Sequence, residues 1–140
     1  MINIGVIGYG YWGPNLVRNF AEVDGVTMAA VADLDQKKLD VVKRRYPAAR
    51  VTTRFQDLLE DPSIHAIAIA TPVSTHFELG MAALKAGKHL WLEKPMIGCG
   101  KTRLVGRYGA LQEERGAAAP LMGHGERIGV VLRTRTGRNP

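Results

Sequence analysis

The chain has 140 residues, 46% hydrophobic and 23% charged, with 19 basic against 13 acidic side chains and a net charge of +6. That length and balance suit one globular domain with a real core, and no apolar run approaches the roughly 20 residues of a membrane span. The single cysteine, Cys99, allows no internal disulfide and no spacing suggests a metal site; with strand-like sequence from Ile2 in place of a leader, a cytoplasmic protein with no membrane partner is expected.

Taken in order, the residues alternate between strand and helix. Ile2–Ile7 reads as a first strand, and Pro14–Glu22 as a helix with proline in its first turn and Leu16, Val17 and Phe20 as its apolar stripe. Val26–Ala32 is the second strand. Asp35 is placed to cap a helix running to about Tyr46, with Leu39, Val42 and Tyr46 on one face. Arg50–Thr53 reads as a short outer strand, and Phe55–Glu60 as a brief helix stopped near Asp61-Pro62. His65–Ala70 is a run of small and branched apolar residues suited to burial on both faces. Thr75 with Glu78 matches a capping box, Phe77, Met81 and Leu84 follow at helical spacing, and Gly87 suits a C′ position. His89–Leu92 is the fifth strand. Helices of this length between strands imply a doubly wound α/β fold, a parallel sheet of Rossmann type with right-handed crossovers.

Beyond Ile97 the character changes. Nine of the 16 glycines fall in the last 43 residues, and residues 98–140 hold 8 basic against 3 acidic side chains, whereas 1–97 hold 11 against 10. Residues 1–97 are therefore expected to form a dinucleotide-binding domain and 98–140 a divergent glycine- and arginine-rich tail. Leu104–Glu114 and Ile128–Leu132 are a candidate last helix and strand of the same domain. Because the basic excess lies in the tail, nucleic acid is not an expected partner.

Four features fall at the carboxyl edge of the expected sheet, where open α/β sheets bind ligands. Gly8-Tyr9-Gly10-Tyr11-Trp12-Gly13 joins strand to helix. Glycines at the first two positions allow a tight turn and close approach of backbone to a pyrophosphate, and the third lets the helix pack close on the strand. Asp33 stands twenty positions past Gly13, in register to accept hydrogen bonds from ribose hydroxyls. Ala70-Thr71-Pro72, with His76 four residues on, follows the fourth strand, and Glu93-Lys94-Pro95 follows the fifth. Expected cofactor-binding residues are Gly8, Gly10, Tyr11, Trp12, Gly13, Asp33, Ala70, Thr71, Pro72, His76, Glu93 and Lys94. Tyr11 and Trp12 are expected to turn backbone amides to phosphate while their rings cover the turn. For His76 a capping or packing role stands beside cofactor contact, and His65 and His89, at strand starts, are expected to serve the fold alone. Asp33 favours NAD over NADP because its charge repels a 2′-phosphate, although Lys37 and Lys38 lie close in sequence.

These motifs resemble the glucose–fructose oxidoreductase/inositol dehydrogenase family (Gfo/Idh/MocA), over roughly residues 1–97; Gly10–Phe20 is further similar to members that act as sugar-nucleotide 3-dehydrogenases. The resemblance implies an oxidoreductase moving hydride between a nicotinamide cofactor and a hydroxyl of a sugar, cyclitol or sugar nucleotide. It makes Lys94 the catalytic residue, its ammonium stabilising a developing alkoxide. It also implies a second domain carrying the substrate pocket and oligomer contacts. Residues 98–140 do not match that domain, so a truncated or frame-shifted member is expected, inactive alone, with homo-oligomers expected only of a full-length form. A non-catalytic nucleotide-binding or redox-sensing module is the alternative, and a methyltransferase using S-adenosylmethionine is disfavoured by Glu93-Lys94-Pro95.

Overall fold

A computed structural model of the chain describes residues 1–92 and 130–132. The order of elements is β1 (Ile2–Ile7), α1 (Gly13–Glu22), β2 (Val26–Ala32), α2 (Gln36–Arg45), β3 (Arg50–Thr52), α3 (Gln56–Glu60), β4 (Ala66–Ile69), α4 (Val73–Lys85), β5 (His89–Leu92) and β6 (Val130–Leu132). The six strands form one sheet in the order β3-β2-β1-β4-β5-β6. The first five pair in parallel, and β6 adds to β5 antiparallel. The expected doubly wound Rossmann-type sheet is thus present. Glu93, Lys94, Pro95, Cys99 and the candidate helix Leu104–Glu114 lie outside the described residues, as do all residues of the candidate strand Ile128–Leu132 except 130–132.

Alternation along the strands fills both faces. Ile4, Val6, Met28, Val31 and Ala68 pack with Leu16 and Val17 of α1 and Leu39 and Val42 of α2. Ile7, Ala30, Ala32, Ile67, Ile69, Leu90 and Leu92 pack with Leu58 of α3 and Ala83 and Leu84 of α4. A strand buried on both sides needs apolar residues at every position, which is why β4 reads as an unbroken apolar run. Gly5 is the exception: a Cβ there would lie 2.9 Å from Leu58 Cδ2, so its bareness seats α3 against β1.

Helix ends refine the expected boundaries. Asp35 caps α2 as expected, its carboxylate accepting the Lys37 N–H at 2.9 Å. Gly87, at φ +74°, follows the C-cap Ala86 of α4. The capping box expected at Thr75 and Glu78 is not formed. The helix begins at Val73 with Pro72 as its N-cap, and no side chain caps it. Thr75 sits inside the first turn, where its hydroxyl donates to Pro72 O at 2.7 Å and lies 2.7 Å from Thr71 Oγ1. Proline at the N-cap supplies extended backbone directly before the helix, so the helix starts earlier than the threonine-to-glutamate spacing suggests.

At the amino edge of the sheet a polar network ties the strands together. Asn3 donates its N–H to His65 Nδ1 at 2.9 Å, and the His65 N–H returns to Asn3 O at 2.9 Å. Lys88 is buried and donates Nζ to Asp61 O at 2.6 Å and Ile64 O at 2.8 Å. Burial pushes the Lys88 ammonium below the usual lysine range, while the Asp61 charge opposes that shift. Asp61 accepts from the Ser63 hydroxyl and N–H and pairs with Arg50 of β3. The Ser63 bonds first, then Arg50, hold its carboxyl down at about 2, against 3.8 unperturbed.

A carboxyl with a depressed folded value stabilises the fold above its unfolded value and loses that contribution as pH falls. Asp61→Asn is therefore expected to unfold more readily than the parent at pH 6. The gap should close as pH drops from about 4 to about 2, as followed by circular dichroism during acid titration. A gap unchanged over that interval would contradict the role given to Asp61.

Candidate nucleotide-binding site

The carboxyl ends of β1, β2 and β4 meet where strand order reverses, between β1 and β4. The chain leaves β1 through Gly8, leaves β2 into Asp33, and leaves β4 through Ala70. Ladder bonds continue past the strand ends and fix all three exits: Gly8 N–H to Ala32 O at 2.7 Å, Ala70 N–H to Ile7 O at 2.8 Å and Asp33 N–H to Thr52 O at 3.2 Å.

The three glycines of the motif answer three different demands. Gly8 takes φ +97°, and a Cβ on it would meet Ala70 O at 2.8 Å and Thr71 Cγ2 at 2.9 Å. Gly13 opens α1 against the turn, where a Cβ would lie 2.3 Å from Gly8 O. Both are glycine because the protein itself leaves no room. Gly10 is different: a Cβ there meets no atom of the described residues within 4 Å, and its backbone is not left-handed. No contact among the described residues requires glycine at this position. A side chain here would stand between the turn's backbone and anything approaching it.

Two more observations fit a phosphate group. No side chain caps α1, and no acid lies in its first turn. No described acceptor takes the N–H of Gly10 or Tyr11. Donors without a described acceptor and the positive end of a helix dipole at one turn favour an anion. Tyr11 is 86% exposed, its ring edge-on to Trp12 with centroids 5.1 Å apart. Trp12 supplies the helix N-cap, its carbonyl accepting from Asn15 and Leu16.

Asp33 does more than its register suggests. Its Oδ2 accepts the Tyr9 N–H at 2.6 Å, and its Oδ1 accepts the Asp35 N–H at 2.9 Å. One carboxylate thus ties the glycine turn to the start of α2. Each oxygen keeps a further lone pair for a ribose hydroxyl. Lys38 Nζ lies 3.7 Å from Oδ1. Tyr9, given no role from sequence, is the residue that reasoning missed. Its N–H carries the link to Asp33, and its ring is buried among Leu16, Val17, Leu39 and Val42. The alternation through Ile4 and Val6 continues to Gly8, so no pattern in the sequence marks Tyr9.

The β4 exit is held by His76. This residue is 2% exposed, and its Nε2 lies 2.7 Å from Thr71 O. A carbonyl only accepts, so Nε2 donates, and Nδ1 has no hydrogen-bond partner among the described residues. The packing role weighed for His76 is therefore present: it clamps the Ala70-Thr71-Pro72 turn against Gly8. Of the expected site residues, the structure gathers Gly8 to Gly13, Asp33, Ala70, Thr71, Pro72 and His76 at one edge. Glu93 and Lys94 follow β5, the next strand on, beyond the described residues.

With that geometry in place, comparison with known proteins identifies the group. The GFO_IDH_MocA oxidoreductase family, an NAD-binding Rossmann fold, matches residues 2–116. The chain belongs to this family. Over 95 residues it is 39% identical to the uncharacterized oxidoreductase YdgJ of Escherichia coli (strain K12), covering 67% of this chain and 27% of that protein. It is 33% identical, also over 95 residues, to scyllo-inositol 2-dehydrogenase (NADP(+)) IolW of Bacillus subtilis (strain 168), covering 68% of this chain and 26% of that protein. The crystal structure of scyllo-inositol dehydrogenase from Lactobacillus casei, with bound NAD(H) and scyllo-inositol, superposes with a TM-score of 0.65 at 30% identity. That match covers 69% of this chain and 28% of the other. The chain thus spans little more than a quarter of the length of these Gfo/Idh/MocA relatives. Among the described residues no helix is long and apolar enough to cross a membrane, and no cluster of metal-binding side chains occurs.

Proposed function

We propose that this Gfo/Idh/MocA chain binds NAD at the Gly8–Gly13 turn and serves hydride transfer at a hydroxyl of a sugar, cyclitol or sugar nucleotide. The observation that carries the proposal is Gly10, a glycine that no contact among the described residues demands, beside a helix start with no side-chain cap. In this reading the N–H groups of Gly10, Tyr11, Trp12 and Gly13 hold the pyrophosphate, and Asp33 accepts from the adenosine ribose. Ala70, Thr71 and Pro72, clamped by His76, border the nicotinamide half. The bound nicotinamide supplies a hydride acceptor. Lys94, with Glu93 before it and Pro95 restricting its backbone, is assigned to the reacting hydroxyl, where an ammonium stabilises the developing alkoxide. Family relatives named for inositol dehydrogenation support a polyol substrate.

Calorimetric titration tests this. The folded chain is expected to bind NAD more tightly than NADP. Asp33→Asn, which loses the negative charge but keeps one acceptor oxygen, should weaken NAD by about tenfold and narrow the preference. A chain that melts cooperatively yet takes up neither nucleotide would sink the proposal.

A further inference from the structure

The preference for NAD rests on a negative Asp33, and its surroundings bear on how strong that preference can be. The carboxylate is 10% exposed and already receives two backbone N–H donors, from Tyr9 and Asp35. It also faces a cation. Lys38, in the first turn of α2, places Nζ 3.7 Å from Asp33 Oδ1 and remains 42% exposed. Its neighbour Lys37 is directed elsewhere: it lines a surface concavity with Asp40, Lys43 and Arg44, and makes no ion pair with Asp33. Lys43 is itself committed to the carbonyls of Pro47 and Ala49. Of the two lysines near the ribose acid in sequence, only one stands next to it in space.

We propose that Lys38 sets the discrimination between NAD and NADP at this site. The inference rests on the nucleotide-binding reading above. An isolated aspartate repels a 2′-phosphate. An aspartate with an ammonium beside one oxygen presents far less net charge, so the repulsion is largely offset. A half-exposed lysine has a flexible four-carbon stem and loses little by leaving an ion pair in water. It can therefore turn from Asp33 to the added phosphate, whereas for NAD it stays on the carboxylate. The site is accordingly an NAD site that tolerates NADP, and the tolerance resides in one side chain.

The test compares the whole chain with Lys38→Gln and Lys37→Gln by calorimetric titration with NAD and with NADP, at two salt concentrations. Lys38→Gln should weaken NADP by about tenfold while moving NAD less than about twofold. Lys37→Gln should move neither beyond that. In the parent, NADP binding should fall with salt more steeply than NAD binding, and the excess slope should shrink in Lys38→Gln. An unchanged NADP-to-NAD ratio in Lys38→Gln, or equal shifts in both lysine variants, overturns this proposal and leaves nucleotide binding standing. Failure of the folded parent to bind either nucleotide overturns both.

Discussion

Gly13→Ala is expected to cost about 3 kcal/mol or more, and with it most of the folded population of a marginally stable domain. The added methyl would lie 2.3 Å from Gly8 O and 3.0 Å from Gly8 C. Both are backbone atoms, so no rotamer change relieves the overlap. The turn and α1 must separate, and α1 carries Leu16 and Val17 into the core. Gly8→Ala faces a similar obstacle, with φ +97° and contacts of 2.8 Å and 2.9 Å to the Ala70 backbone. Thermal melts read both. A melting temperature for Gly13→Ala within a degree or two of the parent would contradict this packing.

Gly10→Ala is expected to do the opposite. No atom of the described residues lies within 4 Å of the new Cβ, and the backbone needs no left-handed conformation. Loss of chain freedom in the unfolded state should leave the domain as stable as the parent, or up to about 1 kcal/mol more so. Affinity for NAD should nevertheless fall about 10- to 100-fold, since the methyl holds the pyrophosphate away from charge-assisted hydrogen bonds to the turn. Melting and titration of the same sample decide the matter. Binding intact in Gly10→Ala would mean that the ligand does not approach this glycine, and the proposed cradle would be wrong.

The two substitutions also show what a sequence reading resolves and what it does not. The glycine spacing after an apolar strand was legible, and so was Asp33 in register with it. The spacing assigns close helix packing to Gly13, but it gives Gly8 and Gly10 the same task and does not separate Gly8, which packing demands, from Gly10, which it does not. That distinction depends on which atoms surround each Cα. The β4 run Ala66–Ile69 and the helix stripes were legible because two-sided burial leaves an apolar signature. The capping box at Thr75 was misleading because a pattern of residue types does not reveal where the preceding proline lets the helix begin. Lys88, buried under two carbonyls from the α3–β4 connection, left no signal, because its partners are backbone atoms far away in sequence. Tyr9 shows the same limit: its role runs through an N–H that every residue but proline possesses.

The central claim is that the β1–α1 turn is a nucleotide cradle, and amide chemical-shift mapping of the isotope-labelled 15.3 kDa chain during titration with NAD tests it most directly. The account predicts the largest shifts at Gly10, Tyr11, Trp12 and Gly13, with smaller ones at Asp33 and Thr71 and none at Asn3, Asp61, His65 or Lys88 across the sheet. Shifts centred away from the glycine turn, or a folded spectrum unmoved by NAD, would contradict it.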